Sequence, residues 1–235
     1  MTILGIDTSG PVAGVALWRG GALRYAAVAD AGLTHSETLM PMVDQALAAA
    51  GLSIEDVEMV SCVAGPGSFT GVRIGVCAAK GIALARGIPC ARVDALAALS
   101  AGAFGFDGEI CPILDARRGQ VYCARFRFPG GALPERLMED AALPLTDFLS
   151  RLPTDGRCLF TGDGLTAHAE AILRALGQRA VLQKPHLSLL RAEAACYLAE
   201  NDPSIRMPGG ELTPIYLRKP QAERERAEKQ GRAHD

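Results

Sequence analysis

At 235 residues the chain has room for one large domain or two lobes, each able to bury a core. Its 24 Lys and Arg against 26 Asp and Glu give a formal charge of −2, so there is no strong field of the kind a stand-alone polyanion binder carries. The seven cysteines are odd in number, scattered and without a Cys-x-x-Cys, Met1 is not followed by a basic leader, and no apolar run reaches spanning length; reduced core thiols and a cytoplasmic protein without membrane insertion are expected.

The first thirty residues read as three strands, Ile3 to Asp7, Val12 to Trp18 and Ala22 to Ala29, separated by turn compositions of hairpin length. An antiparallel meander should open the fold. After Gly32 the period becomes helical, with Leu39, Val43, Leu47 and Ala50 on one stripe and Gly51 as terminator. Pro41 inside that pattern predicts a kink or a separate first turn near Ser36. Val57 to Ala64 is a continuous apolar run, as in a strand covered on both faces. A second helix over 70–86 ends at Gly87, a strand at Cys90 to Val93 follows, and an alanine-rich helix comes next. Together these predict a mixed sheet covered by helices in a first lobe, 1–103.

Glycines and alanines around 101–105 mark a hinge, after which a smaller α/β lobe, 104–217, restarts with strands. Ile110 to Leu114 and Gln120 to Phe128 should form a hairpin around Asp115-Ala116-Arg117-Arg118-Gly119. A strand at Cys158 to Thr161, followed by Gly162-Asp163-Gly164 and a helix to about Leu176, and a further helix from Leu187 to Leu198 complete the lobe. No convincing repeat is visible, although both lobes open with a strand pair. The tail 218–235, with six basic and four acidic residues and almost no large apolar ones, reads as disordered or as a short solvated helix.

Gly65-Pro66-Gly67-Ser68-Phe69-Thr70-Gly71-Val72-Arg73-Ile74-Gly75 runs from a buried strand into a helix. Such a loop can cradle a phosphate on backbone amides, yet it lacks the Gly-Lys-Ser/Thr of a Walker loop, and its third glycine arrives one residue late for a dinucleotide fingerprint. The competing reading is a tight turn with Ser68 or Thr70 as N-cap. Asp7, Thr8 and Ser9, where the first strand turns, could orient a metal-bound nucleotide phosphate or make an ordinary turn, and Asp115 with Arg117 and Arg118 in the second hairpin turn could embrace a phosphate or form a turn ion pair. Gly71, Gly75, Ala79 and Ala83 recur every four residues, leaving one helix face bare. Two glycines cost a helix about 1 kcal/mol each, so a close neighbour is implied, either within the chain or from another chain. The stripe of Leu39, Met42, Val43 and Leu47 leaves the same choice between core and interface. His35 has no partner at metal-ligand spacing and reads as a cap or interface residue, and no Ser/His/Asp grouping stands out.

Ile3-Leu4-Gly5-Ile6-Asp7-Thr8-Ser9, His35-Ser36 with Leu39 and Pro41, the glycine-rich segment 65–75, Asp115-Ala116-Arg117 and Pro214-Ile215-Tyr216-Leu217-Arg218 together resemble the TsaB (YeaZ) family. The resemblance spans the chain up to its tail. It implies a two-lobed α/β fold of the actin-like ATPase type (ASKHA, ribonuclease H-like). It also implies a non-catalytic subunit that pairs with TsaD in making N6-threonylcarbamoyladenosine (t6A) at position 37 of tRNAs reading ANN codons. TsaD-type sequences carry a His-x-x-x-His metal pair after the strand that follows the Gly-Pro-Gly helix; here Val93-Asp94-Ala95-Leu96-Ala97-Ala98 has no histidine, so no metal site is expected. By the same resemblance, His35, Leu39, Met42, Val43, Leu47, Gly71, Gly75, Ala79 and Ala83 would form the partner interface. Asp7, Thr8, Ser9, Gly65, Gly67 and Asp115 would be the remnant of a nucleotide site, with no cofactor required and weak ATP or ADP binding left open. TsaE in a larger assembly, tRNA through the complex, and a homodimer through the same helices are the other expected partners.

Two further functions stay open at this point: an ATP-using enzyme of sugar-kinase type holding Mg-ATP on Asp7, Gly65, Gly67 and Asp115, and a metalloprotease. Against the first, no carboxylate stands where a general base is identifiable. Against the second stands the missing His-x-x-x-His pair.

Overall fold

The computed structural model describes residues 1–30, 32–189 and 192–218, and two mixed sheets organise them. The first contains β1 (Thr2–Asp7), β2 (Ala13–Arg19), β3 (Ala22–Ala29), β4 (Met59–Val63), β5 (Pro89–Val93) and β11 (Arg206–Pro208), in the order β11-β5-β4-β1-β2-β3. The second contains β6 (Glu109–Asp115), β7 (Gln120–Arg127), β8 (Glu135–Pro144), β9 (Cys158–Thr161) and β10 (Ala180–Leu182), in the order β10-β9-β6-β7-β8. In both sheets the first three strands form an antiparallel meander, and the first strand pairs in parallel with the fourth, which pairs in parallel with the fifth. The repeat that the sequence conceals is therefore present in the topology.

Side-chain alternation along β1 sets the layers. Leu4 and Ile6 meet the apolar stripes of α1 (His35–Ala49) and α2 (Phe69–Arg86), while Ile3 packs with Ala192, Cys196 and Ala199 of α6 (Ala192–Asn201) on the opposite face. Gly5 permits that approach, because a Cβ there would lie 2.6 Å from both the Ala192 carbonyl oxygen and Cys196 Sγ. Helix α3 (Ala95–Ala101) and α6 fill the space toward the second sheet with Leu96, Leu99, Ala195 and Leu198 against Ile110, Leu114 and Phe126. The far face of that sheet is closed by α4 (Leu145–Leu149) and α5 (Leu165–Leu176) through Phe148 and Ile172. All seven cysteines are free thiols, six of them buried and Cys77 exposed on α2. Among the described residues no helix is long and apolar enough to cross a membrane.

Several expectations need correction. Pro41 does not split α1, which runs unbroken from His35 to Ala49. Its start is fixed by the Glu37 carboxylate, which accepts from the Thr34 amide (2.9 Å) and hydroxyl (2.6 Å). Pro41 and Glu37 are both exposed, so the bond missing between them falls on the water side of the helix. The helix expected over 187–198 begins at Ala192, after a 3-10 turn at Pro185–Leu187. Strands β8, β10 and β11 and helix α4 had no counterpart in the sequence reading. The second lobe does not hold everything from 104 to 217: α6 packs on β1, β2 and β4, and β11 pairs with β5, so the chain returns to the first sheet. The tail expectation concerns residues that, Arg218 apart, lie outside the described ones.

Candidate functional site

The parallel strands β1 and β4 of the first sheet and β6 and β9 of the second end around one cleft of about 450 Å³. Open α/β sheets hold ligands at such carboxyl ends. Ser9, Gly67 and Ser68 line it from one side, Asp115, Arg117, Arg118 and Asp163 from the other, and the segment 215–218 runs along it.

Asp7 lies beneath this surface. Only 1 % exposed, its Oδ1 accepts from the Ser9 amide (2.9 Å) and hydroxyl (2.7 Å), while Oδ2 has no protein partner. Burial is the main cause that lifts its carboxyl to about 6, and the Ser9 bonds oppose it. Thr8 is fully buried and donates its hydroxyl to the Gly71 carbonyl at 2.7 Å.

The glycine-rich loop is engaged in the same internal network. Ser68 donates its amide to the Ser9 carbonyl (2.7 Å), the Gly71 amide donates to Ser68 Oγ (3.3 Å), and the Val72 amide donates to the Ser68 carbonyl (2.8 Å). Ser68 is thus the N-cap of α2, and these three amides face acceptors of the chain itself rather than an anion. Gly65 is also turned inward, since a Cβ there would sit 2.5 Å from the Ile215 carbonyl. Of the six residues read as a nucleotide-site remnant, only Ser9, Gly67 and Asp115 line the cleft. Asp7, Thr8 and Gly65 form its foundation.

On the opposite wall the Asp115 amide donates to Asp163 Oδ1 (2.9 Å), and Asp115 Oδ1 accepts from the Arg117 amide (2.8 Å). Burial raises the Asp163 carboxyl, and the Asp115 amide bond works against that rise. Arg117 and Arg118 both adopt left-handed backbone, at φ of 64° and 55°, an uncommon conformation for side chains of this size, and they turn the β6–β7 hairpin at the cleft mouth. From the C-terminal side, Ile215 donates its amide to the Ala64 carbonyl (2.7 Å), Tyr216 stacks on Phe69, and Arg218 Nη1 donates to the Ala116 carbonyl (2.7 Å). This segment joins the end of β4 to the second-lobe hairpin. Neither Asp163 nor Tyr216 stands out in the sequence as a site residue; Gly162-Asp163-Gly164, following a strand as Gly65-Pro66-Gly67 follows β4, is the available signal for the first. His35 lies at the cleft, with Nε2 donating to the Gly10 carbonyl at 3.0 Å.

The residues expected at a partner interface are interior. Leu39, Met42, Val43, Leu47, Ala79 and Ala83 belong to the first-lobe core. A Cβ on Gly71 would overlap the Thr8 carbonyl, and one on Gly75 would overlap Thr8 Oγ1. The close neighbour implied by the bare helix face is thus the end of β1. The outward faces of α1 and α2 carry other residues: Met40, Pro41 and Ala48 on the first, and Arg73, Cys77, Gly81 and Leu84 on the second. Among the described residues, no group of three or more His, Cys, Asp or Glu could hold a metal ion.

Two mixed sheets that share one five-strand order, the first extended by β11, define a two-lobed α/β protein with a cleft between the sheets. The chain is similar to the family described as "TsaD: tRNA N6-adenosine threonylcarbamoyltransferase", whose profile matches residues 29–195. It is 35 % identical over 224 residues to the Bacillus subtilis tRNA threonylcarbamoyladenosine biosynthesis protein TsaB, covering 95 % of this chain and 96 % of that one. The Escherichia coli protein of the same name is 37 % identical over 54 % of this chain and 55 % of its own length. The solved structure of YeaZ from Pseudomonas aeruginosa superposes with a TM-score of 0.78 at 28 % identity, covering 92 % of this chain and 99 % of that one. The chain belongs to the TsaB family.

Proposed function

We propose that this chain works in t6A biosynthesis as the structural partner of a TsaD-type transferase, holding it in a competent arrangement while the transfer to N6 of adenosine 37 takes place on the partner. One observation carries the division of labour. Residues 93–98, where TsaD-type sequences carry their metal-binding histidines, here end β5 and start α3, with Asp94 Oδ1 capping the helix through the Ala97 amide at 2.8 Å. The position serves helix capping. The family profile and the TsaB relatives support the t6A pathway and the TsaD pairing.

The interface we assign is the outward surface of α1 and α2, where Met40 and Leu84 are 44 % and 60 % exposed beside the small residues Ala48, Cys77 and Gly81. In isolation the same surface would serve a homodimer, and TsaE would join the larger assembly, in the cytoplasm where its tRNA substrates are. No nucleotide is required on this chain. The sugar-kinase alternative needs Asp7, Gly65, Gly67 and Asp115 around Mg-ATP, whereas Asp7 and Gly65 do not line the cleft. The pairing is tested by size-exclusion chromatography of the chain mixed with purified TsaD-type protein. A 1:1 complex that Leu84→Asp abolishes is expected; a complex indifferent to Leu84→Asp would move the interface elsewhere, and absence of any complex would overturn the reading.

A further inference from the structure

We infer that the mouth of the cleft is a docking platform for single-stranded RNA, built from the Phe69–Tyr216 stack and the guanidinium of Arg117; this rests on the reading of the chain as a subunit acting on tRNA. Phe69 and Tyr216 stack with centroids 5.1 Å apart and planes inclined at 30°, yet remain 37 % and 45 % exposed. An aromatic pair that packs well and still faces water is a surface on which an unpaired base can stack. Arg73 lies over Phe69, with Cζ 5.1 Å from the ring centroid, adding positive charge beside the stack.

Across the cleft, the Arg117 side chain is 87 % exposed. Its only described ion pair is to Asp115 at 3.5 Å, and Asp115 also accepts the Arg117 amide, so the carboxylate orients the loop while the guanidinium extends into solvent. The left-handed backbone at Arg117 and Arg118 fixes where both side chains leave the hairpin. The tether of Arg218 to the Ala116 carbonyl holds hairpin and stack at a set separation. Stacking faces beside guanidinium groups match a strand whose bases are unpaired and whose phosphates are exposed, the chemistry of an RNA loop. A free nucleotide matches less well, because the Ser68, Gly71 and Val72 amides of the loop are bonded within the chain and Asp7 and Gly65 do not line the cleft.

The experiment uses the complex of this chain with its TsaD-type partner and a fluorescein-labelled anticodon stem–loop RNA, titrated by anisotropy after assembly has been verified by size exclusion. Tyr216→Ala should weaken binding roughly five- to hundredfold, as loss of one stacked base does. Tyr216→Phe should restore affinity. Arg117→Ala, at a side chain too exposed to affect folding, should weaken binding and lower the slope of log affinity against log salt by about 0.7. Wild-type affinity and slope in both Tyr216→Ala and Arg117→Ala would overturn the platform. Failure of the chain to pair with the partner would sink the scaffold reading by itself; the same titration on the chain alone then decides the platform.

Discussion

Replacing Asp7 by asparagine isolates the electrostatic cost of the buried carboxyl. Its pKa rises from the ordinary 3.8 to about 6, chiefly because burial disfavours the charged form. Below pH 3.8 the group is protonated in folded and unfolded chains alike and contributes no penalty. Between 3.8 and 6 only the unfolded chain ionises, so stability falls as pH rises; above 6 the full cost is present. A difference of about two units at about 1.4 kcal/mol each makes that cost about 3 kcal/mol. Asparagine keeps an acceptor for the Ser9 amide and hydroxyl but places an amide group where Oδ2 has no partner, a pH-independent offset of about 1–3 kcal/mol. The diagnostic quantity is therefore the slope. Urea unfolding of both proteins from pH 4 to 7.5 should show Asp7→Asn gaining about 2.5 kcal/mol relative to wild type across that range, since part of the cost is already present at pH 4. Parallel stability curves would refute the reasoning, because they would mean that Asp7 ionises in the folded chain as it does in water.

Gly75→Leu should destabilise the isolated chain by about 3 kcal/mol, read as a lowered urea midpoint, because the new side chain enters the space of Thr8 Oγ1; an unchanged midpoint with lost pairing would instead return that face to the interface. Gly81→Arg addresses the outward face, where an added Cβ meets nothing within 4 Å. It should leave the fold intact or stabilise it by about 0.5–1 kcal/mol through helix propensity while abolishing co-elution with the TsaD-type partner. Ser68→Ala should cost about 1 kcal/mol, since it removes the N-cap of α2 and frees the Gly71 amide; an unchanged midpoint would show that the loop does not depend on that cap.

The local signals carried much of the fold. The bounds of β3 and β9 follow from turn compositions at both ends, and Gly87, at φ 64°, ends α2 where the sequence places its terminator. What the sequence concealed is non-local. Strand β8 reads Glu-Arg-Leu-Met-Glu-Asp-Ala-Ala-Leu-Pro, a composition that favours a helix, and it is extended because β7 supplies its ladder. Likewise β11 has three residues and depends on β5. At the site, the spacing of Gly71 and Gly75 announced a close approach, but only the structure identifies Thr8 as the neighbour. Asp7, Thr8 and Ser9 were legible as a special turn; that their polar groups bond inward depends on Ser68 and Gly71, some sixty residues further along. Tyr216 reaches the cleft only because the chain returns across both lobes.

The most direct test of the central claim is threonylcarbamoylation of an ANN-decoding tRNA by the TsaD-type transferase, the TsaE-type ATPase and the synthase that supplies the carbamoyl-adenylate, with and without this chain. The account predicts product only when the chain is present, and undiminished product when Asp7→Asn replaces the wild type. Product formed equally well without the chain would contradict the account, and a requirement for the ionised Asp7 carboxylate would place chemistry on this subunit.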